Sequence, residues 1–117
     1  MSPRATDKLE LLQGTLDMLI LRTLRFGPAH GHSIATFIEQ TTDDVLRVDH
    51  GSLYPALHRL ARQGLISSRW EIPKGRSREL KTYRLTDKGR RRLRAETSRW
   101  ERIARAINQV MKPATEA

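Results

Sequence analysis

The spacing of apolar residues changes twice along this chain, and the order of those changes restricts the folds open to it. Apolar residues follow helical spacing in three successive segments, then alternate with polar residues, and then return to helical spacing. Gly27-Pro28 ends the first segment and Gly64 ends the third, because proline lacks a backbone donor and glycine readily adopts the conformation that stops a helix. The pattern predicts a mainly α fold with a small β-hairpin, an α+β arrangement of three helices, a hairpin and a long C-terminal helix.

The limits of the helical segments can be predicted. Apolar spacing indicates a first helix over residues 9–26, with apolar side chains on more than one face, and a second over residues 31–40. A third helix fits residues 52–63, where Ser52 is a suitable N-cap and Pro55 falls in the first turn, in which no backbone donor is required. Thr86 is the predicted N-cap of a last helix that extends to about Met111.

Residues 66–85 alternate with the period of two that extended strands show. Every second residue from Ile66 to Ile72 falls on one side of the first predicted strand, and Tyr83 and Leu85 share one side of the second. The tip between the strands combines turn residues with three cations and no acid, so we expect it to be an exposed loop. Its cations are Lys74, Arg76 and Arg78.

The chain has 117 residues and no cysteine. A domain of this length forms a core without disulfides, and the missing thiols exclude a thiolate zinc site, an iron–sulfur cluster and a cysteine nucleophile. No segment of about 18 apolar residues is present, and the N-terminus lacks a secretory pattern. We therefore expect a cytoplasmic protein with no membrane partner.

Basic charge is concentrated in the second part of the chain. The net charge is +9, and residues 47–112 hold 18 Lys and Arg against 6 Asp and Glu, whereas residues 1–46 hold 4 against 6. A local excess of this kind favours a polyanion through counterion release, and nucleic acid is the commonest soluble polyanion. An acidic lipid surface is the weaker alternative.

Three helices, a basic hairpin and a long helix form the order of a winged helix-turn-helix. In that architecture the third helix enters the DNA major groove, and the hairpin, or wing, reaches the backbone or the adjacent minor groove. Each exposed residue taken singly also fits an ordinary solvated surface, and the wing cations fit phosphate pairing better than minor-groove insertion. The candidate DNA-binding residues are Ser52, Tyr54, Pro55, His58, Arg59 and Arg62 of the helix and Lys74, Arg76 and Arg78 of the wing.

Several motifs resemble those of one family of regulators. The segment GSLYPALHRL at residues 51–60, followed by GLI at 64–66, resembles the recognition-helix motif of the PadR family, and GTLD at 14–17, GHSI at 31–34 and TYRLTDKG at 82–89 support the match. The resemblance implies a homodimeric winged-helix repressor whose third helix reads a two-fold-related operator in double-stranded DNA. It also implies that Tyr54 contacts phosphate. Since one helix follows the predicted wing, the chain resembles the short branch of the family.

The last predicted helix is longer than the core of one small domain needs, about 37 Å at 1.5 Å per residue. Apolar residues recur along it at intervals of seven, as they do in coiled coils, so we expect it to pair with a second copy of the chain. Trp100 lies midway, and its two copies either fill the interface or stack on a flat, aromatic or hydrophobic effector. The predicted dimerisation residues are Leu93, Trp100, Ile103, Ala104, Ile107, Val110 and Met111.

These assignments divide the chain into four parts. Residues 1–8 are predicted to be a flexible arm, residues 9–85 the winged helix-turn-helix domain, residues 86–112 the dimerisation helix and residues 113–117 a disordered tail.

Other functions have weaker support in the sequence. His30 and His32 with nearby aspartates are metal-ligand types, but histidines around a helix start are more often surface residues. No nucleophile with a base, acid pair or phosphate-binding glycine loop is evident, so we predict no enzyme activity, metal site or cofactor. The alternative function is a nonspecific nucleic-acid-binding or architectural protein, which would share the basic charge. A basic protein-interaction module would bind no DNA.

Overall fold

A computed structural model describes residues 9–10 and 13–112 of the chain. The predicted arm at residues 1–8 and the predicted tail at residues 113–117 lie outside this part. Within it are four helices, α1 (Gln13–Arg25), α2 (Gly31–Thr41), α3 (His50–Arg62) and α4 (Asp87–Met111). The predicted order of three helices, a hairpin and a long helix is confirmed.

The start of the first helix differs from the prediction. Residues expected to open that helix form a two-residue strand, β1 (Leu9–Glu10), which pairs in parallel with β3 (Leu46–Arg47) in the connection between α2 and α3. The helix itself begins at Gln13. The spacing of Leu9 and Leu12 fits a helix equally well, so the pattern alone did not separate the two structures.

The sheet contains one strand more than the predicted hairpin. The hairpin strands β4 (Ile66–Glu71) and β5 (Leu80–Leu85) are antiparallel, and β2 (Ala29–His30) pairs with the other edge of β5. The strand order within the described residues is β2-β5-β4. Two residues are too few to show a period, which is why the sequence pattern did not predict β2.

The core lies where α1 meets the other helices and the base of the hairpin. Four apolar residues of α1 are buried there, as its wide apolar surface predicted. Removal of such side chains from water is the main stabilising contribution, about 1.5–3 kcal/mol for a fully buried leucine or isoleucine. The largest fully buried side chains are Ile20, Leu21, Ile34, Leu53, Leu57, Leu60 and Leu65.

Helix α3 begins two residues earlier than predicted, because Asp49 caps it instead of Ser52. The Asp49 carboxylate accepts a hydrogen bond from the Ser52 backbone N–H at 2.9 Å. Pro55 consequently lies inside the helix, where its missing N–H leaves the Gly51 carbonyl without the usual partner four residues on. The sequence assignment of the cap was wrong because both Asp49 and Ser52 are good N-cap residues.

The junction between α3, the hairpin and α4 is tightly built. Thr86 caps α4 as predicted, since its side-chain oxygen accepts a hydrogen bond from the Gly89 N–H at 3.0 Å. The Thr86 hydroxyl also donates to the Gly64 carbonyl oxygen at 2.7 Å. The Lys88 ammonium donates to the Gln63 carbonyl at 2.8 Å and so satisfies the C-terminal end of α3. These bonds fix α4 on the base of the hairpin.

None of the helices in residues 9–10 and 13–112 combines the length and the apolar character that crossing a membrane requires.

Candidate nucleic-acid interface

Helix α3 has one buried and one exposed side, as its sequence predicted. Leu53, Ala56, Leu57 and Leu60 are buried, and the helix carries its polar and cationic residues on the opposite side. The exposed members of the predicted DNA-binding set on this helix are Ser52, Tyr54, Pro55, His58 and Arg62. We call these five residues the exposed face of α3.

Arg59 does not belong to that face. One guanidinium nitrogen lies 2.6 Å from a carboxylate oxygen of Asp17 on α1, and about three-quarters of the side chain is buried. The Nε of the same guanidinium is also buried, and it has no hydrogen-bond partner within the described residues. The expectation that Arg59 projects freely toward DNA is therefore corrected, because α1 crosses α3 here and binds the charge.

Three aromatic side chains meet at the N-terminal ends of α2 and α3. The ring of Tyr54 lies against Gly31, so closely that a Cβ there would approach the ring to 2.9 Å. The His50 ring packs edge-on to Tyr54 with 5.6 Å between ring centres, and the His32 ring lies 6.1 Å from His50. We call His32, His50 and Tyr54 the helix-start cluster.

His30 connects this cluster to the wing. Its ring is 2.9 Å from the Ser33 hydroxyl, and partial burial, together with the positive charge of Arg76 and the neighbouring His32, lowers its pKa below the ordinary value. Arg76 belongs to the wing tip, so the charge of the tip acts on the ring of His30. The pairing of β2 with β5 sets His30 opposite Thr82 of the hairpin, and the next residue, Gly31, lies against Tyr54. His30 therefore lies between the hairpin and the helix-start cluster.

The wing tip, residues 72–79, is a loop between β4 and β5. Gly75 has a φ of 81°, a conformation that glycine adopts at low cost, and the Arg76 N–H donates to the Pro73 carbonyl at 3.0 Å. The predicted phosphate-binding cations Lys74, Arg76 and Arg78 are all exposed. The tip is thus a cationic turn with its side chains in solvent.

Sequence reasoning overlooked the histidines of this surface. The sequence pattern indicated His32 only as a metal-ligand type and gave no role to His50, although all four histidines of the chain fall on α2, α3 or the residue before α2. Their clustering in and just before these two helices was the available signal. Within the described residues, no group of three or more His, Cys, Asp and Glu side chains is arranged to hold a metal ion.

Helix α4 exposes apolar side chains over its second half. Trp100 is 51% exposed and Val110 is 77% exposed, values unusual for such large apolar groups. Ala104 is half-buried. The exposed large apolar residues of α4 are Trp100, Ile103, Ile107, Val110 and Met111.

Leu93 does not share that exposure. It was predicted as a dimerisation residue, but it is only 4% exposed and belongs to the core of its own chain. The first half of α4 packs against α1 and the base of the hairpin. The apolar residues that recur every seven positions are therefore buried in the core in this half and exposed to solvent in the second half.

A groove of about 370 Å³ separates α1 from α4. Its lining is mainly apolar, and Arg22 also contributes to it. Trp100 contributes to the wall, so the groove adjoins the exposed apolar half of α4. The complete lining is Thr15, Met18, Leu19, Arg22, Thr97 and Trp100.

Comparison with known proteins identifies related regulators. The transcriptional regulator PadR-like family matches residues 20–95. The transcriptional regulator Rv3488 of Mycobacterium tuberculosis is 41% identical over 61 residues, covering 52% of this chain and 55% of that protein. The negative transcriptional regulator PadR of Bacillus subtilis is 33% identical over 78 residues, covering 67% of this chain and 42% of that protein. The match thus spans about half the length of these two relatives.

A solved structure resembles the whole architecture. A transcriptional regulator from Clostridium thermocellum superimposes with a TM-score of 0.77 at 26% sequence identity. The match covers 96% of this chain and 99% of that structure, so it includes the wing and the long C-terminal helix.

Proposed function

Because this chain belongs to the PadR-like family of transcriptional regulators, we propose that it represses transcription by binding a pseudo-palindromic operator as a homodimer. The observation that carries the proposal is an exposed face of α3 together with an exposed cationic wing tip, whose hairpin pairs with His30 next to the helix-start cluster. A recognition helix and a cationic wing on one side of a domain can engage a major groove and its flanking backbone together.

Base reading is assigned to the exposed face of α3. The side chains of Arg62 and His58 carry hydrogen-bond donors and are long enough to reach base edges. Ser52 and Pro55, near the helix start, are small enough to allow the helix to approach the floor of the groove closely. Tyr54 lies at the margin of the face, so its hydroxyl is suited to a phosphate oxygen. Arg59 instead positions α3, since Asp17 already binds its guanidinium.

Affinity without sequence preference is assigned to the wing tip. Lys74, Arg76 and Arg78 are exposed cations on a short turn. Such residues pair with backbone phosphates whatever the base sequence. Each phosphate contact releases counterions, so binding is expected to weaken steeply with added salt.

Dimerisation is assigned to the second half of α4. Five large apolar side chains exposed along one helix favour association, and a second copy of the same helix offers a matching surface. The set consists of Trp100, Ile103, Ile107, Val110 and Met111, with Ala104 beside them.

A small aromatic or hydrophobic effector is assigned to the groove between α1 and α4. The Trp100 ring supplies a stacking surface, and Met18 and Leu19 supply apolar contacts. Binding that changed the angle between α4 and α1 would change the separation of the two α3 helices in a dimer. Quenching of Trp100 fluorescence by planar aromatic cations tests this, with Trp100→Ala, which retains Trp70, as the control. Equal quenching of the two proteins would remove the effector from Trp100.

Competition binding tests the main proposal. The DNA upstream of the protein's own gene is footprinted, and the protected sequence is compared with random duplex of equal length by fluorescence anisotropy. A specific regulator retains an affinity ratio of about 10³ or more, whereas a nonspecific or architectural protein shows a ratio near one.

Two substitutions sharpen that test. Arg62→Ala is expected to reduce the ratio of the affinities for protected and random DNA. For a good base contact, the loss of discrimination is about 1–3 kcal/mol. Arg105→Ala, on the exposed side of α4, is the matched control and should leave the ratio unchanged. Equal affinity of the unaltered protein for both duplexes would exclude a sequence-specific regulator.

A further inference from the structure

Helix α4 carries a group of exposed arginines that neither the core nor the exposed apolar residues of the helix account for. At about 100° per residue, Arg91, Arg94 and Arg102 fall on one side of the helix, opposite the side that carries Leu93 and Trp100. Leu93 is buried in the core, so the opposite side of the helix faces solvent, and all three arginines are exposed. We call Arg91, Arg94 and Arg102 the arginine face.

This part of α4 is strongly positive. Residues 90–102 hold six arginines against two acids, of which Glu96 falls on the apolar side of the helix and Glu101 at the margin of the arginine face. Arg90, just before the face, pairs with Asp87 at 3.0 Å. None of the ion pairs that the structure describes within residues 9–10 and 13–112 includes a member of the arginine face. Its charge is therefore not compensated within that part of the chain.

The stability of the helix does not account for this arrangement. Like charges three or four residues apart on a helix destabilise it, and Arg94 follows Arg91 and Arg90 at these two spacings. An anionic partner would remove the repulsion and would release its counterions on binding. The arrangement therefore favours a binding role over a structural one.

Helix α1 separates α4 from α3. The Asp17 carboxylate of α1 binds Arg59 of α3, whereas Thr15 and Leu19, on the opposite side of α1, line the groove against Trp100 of α4. Axes of packed helices lie about 8–10 Å apart, so roughly 16–20 Å separates the axis of α3 from that of α4. The exposed face of α3 and the arginine face both point away from α1. The stretch of duplex that α3 enters therefore leaves the arginine face free.

The dimensions of the arginine face fit a nucleic-acid duplex. Helix α4 rises about 16 Å from Arg91 to Arg102, whereas a major groove is about 12 Å wide, so the arginines can reach phosphates on both sides of one groove. Between them lie Ala95 and Ser98, whose short side chains allow phosphates to approach the helix closely. An acidic lipid surface fits less well, because a helix that binds it inserts apolar side chains, and Leu93 in this half of α4 is buried in the core.

We propose that the arginine face binds the phosphates of a second segment of duplex DNA while α3 and the wing hold the operator. The inference rests on the proposed function, which supplies the first segment. In a homodimer paired through the exposed apolar residues of α4, the two arginine faces point outward, so one dimer connects two segments of DNA. Phosphate contacts carry no base information, and the second segment is therefore bound whatever its sequence.

Energy transfer between two labelled duplexes measures the connection directly. The unaltered protein is saturated with donor-labelled protected duplex, and acceptor-labelled random duplex is then added at low salt. Energy transfer is expected to rise and saturate, because both duplexes then lie on one dimer. It should fall steeply as salt is added, since phosphate contacts carry the binding of the second duplex.

A paired substitution assigns the second duplex to the arginine face. Arg94→Gln combined with Arg102→Gln is expected to leave the affinity for the protected duplex unchanged and to weaken binding of the second duplex at least about tenfold. The slope of log affinity against log salt for the second duplex should decrease by about 1.8, at about 0.9 for each lost phosphate contact.

A second pair of substitutions is the matched control. Arg25→Gln combined with Lys112→Gln removes the same charge from the end of α1 and the end of α4. This protein should bind both duplexes as the unaltered protein does. Thermal unfolding of the two doubly substituted proteins establishes that the fold is intact.

The outcomes separate this inference from the proposed function. Absence of energy transfer from the saturated operator complex, or equal transfer for the Arg94→Gln and Arg102→Gln protein, would overturn the second site while operator binding stands. An equal loss in the control protein would also overturn it, because net charge and not the arginine face would then bind the duplex. Tighter binding of the operator complex to phosphatidylglycerol vesicles than to random duplex would overturn it in favour of a lipid surface. Failure of the unaltered protein to protect any sequence in the footprint would overturn the proposed function itself.

Discussion

Gly89 lies where α4 crosses the base of the hairpin. A Cβ at this position would overlap the carbonyl oxygen of Leu65 and crowd the Leu85 side chain. Gly89→Ala is therefore expected to lower the free energy of unfolding by about 1–3 kcal/mol, because the backbone must move to admit one methyl group. Thermal or urea unfolding measures the change.

Gly14 is the matched control for that substitution. It lies near the start of α1, and an added Cβ would meet no neighbour within 4 Å among the described residues outside the adjoining helix backbone. Alanine has a higher helix propensity than glycine, so Gly14→Ala should leave stability unchanged or raise it by up to about 1 kcal/mol. Equal destabilisation by both substitutions would show that close packing at Gly89 is not the cause.

The ion pair of Asp17 and Arg59 joins α1 to α3. Asp17→Asn removes the charge that faces a largely buried guanidinium, and an unpaired buried charge destabilises a fold. We expect a loss of about 1–3 kcal/mol in the free energy of unfolding and a parallel weakening of all DNA binding, because α3 loses its anchor. The exposed pair of Asp87 and Arg90 supplies the control, Asp87→Asn, whose side chain is 90% exposed. If the Asp17→Asn protein is as stable as the unaltered protein but prefers different DNA sequences, Arg59 contacts bases and does not mainly position α3.

The pKa of His30 is lowered in the free protein, so its ring is mostly neutral near pH 7. A nearby DNA phosphate favours the charged ring and raises that pKa, so binding takes up a proton. DNA affinity is therefore expected to rise as pH falls from about 8 to about 6. His30→Gln should flatten this dependence, which anisotropy titrations at constant ionic strength measure. A pH profile identical to that of the unaltered protein would contradict it.

Acidification should affect the stability of the protein in the opposite direction to its effect on DNA affinity. A histidine whose pKa is lowered by folding binds its proton more readily in the unfolded chain, so acidification favours unfolding. The contribution of His30 to the free energy of unfolding is complete above the ordinary histidine pKa of the unfolded chain. It is lost as the pH falls from that pKa to the lowered pKa of the folded protein. DNA affinity and protein stability should thus change in opposite directions in weak acid.

At the scale of elements, α4 serves two surfaces. Its first half packs on the core through Leu93, and its second half presents apolar residues to solvent. Ile103→Lys is expected to dissociate a dimer, since the charge would be buried without a partner on association. Light scattering measures the mass. Glu101→Lys on the same turn makes an exposed position cationic and is the matched control. An intact dimer of the Ile103→Lys protein would place the interface elsewhere.

At the scale of the whole molecule, two copies of α3 must enter successive major grooves on one side of the duplex. The half-site centres are therefore expected about one helical turn, 34–36 Å, apart. Insertion of about 5 base pairs between half-sites moves them to opposite sides of the duplex and should reduce affinity at least tenfold. Hydroxyl-radical footprinting and anisotropy measure both effects. Equal binding to the spaced operator would indicate that each copy binds alone.

The sequence by itself determined the order of elements, the exposed face of α3, the cationic wing tip and the Thr86 cap. These features depend on residues a few positions apart, and period, turn residues and caps report such local geometry. The family resemblance also depended on contiguous motifs around α3. The ends of elements were less certain, as the Asp49 cap and the strand at Leu9–Glu10 illustrate.

The tertiary structure alone decided which residues were free to act. Arg59 and Leu93 fit their predicted surfaces by helical spacing, but α1 binds the first and the core encloses the second. Likewise, β2 exists because β5 offers it an edge, and His30 meets the wing because that edge brings them together. Such contacts join segments far apart in the chain, and their free energy depends on packing that no local pattern contains.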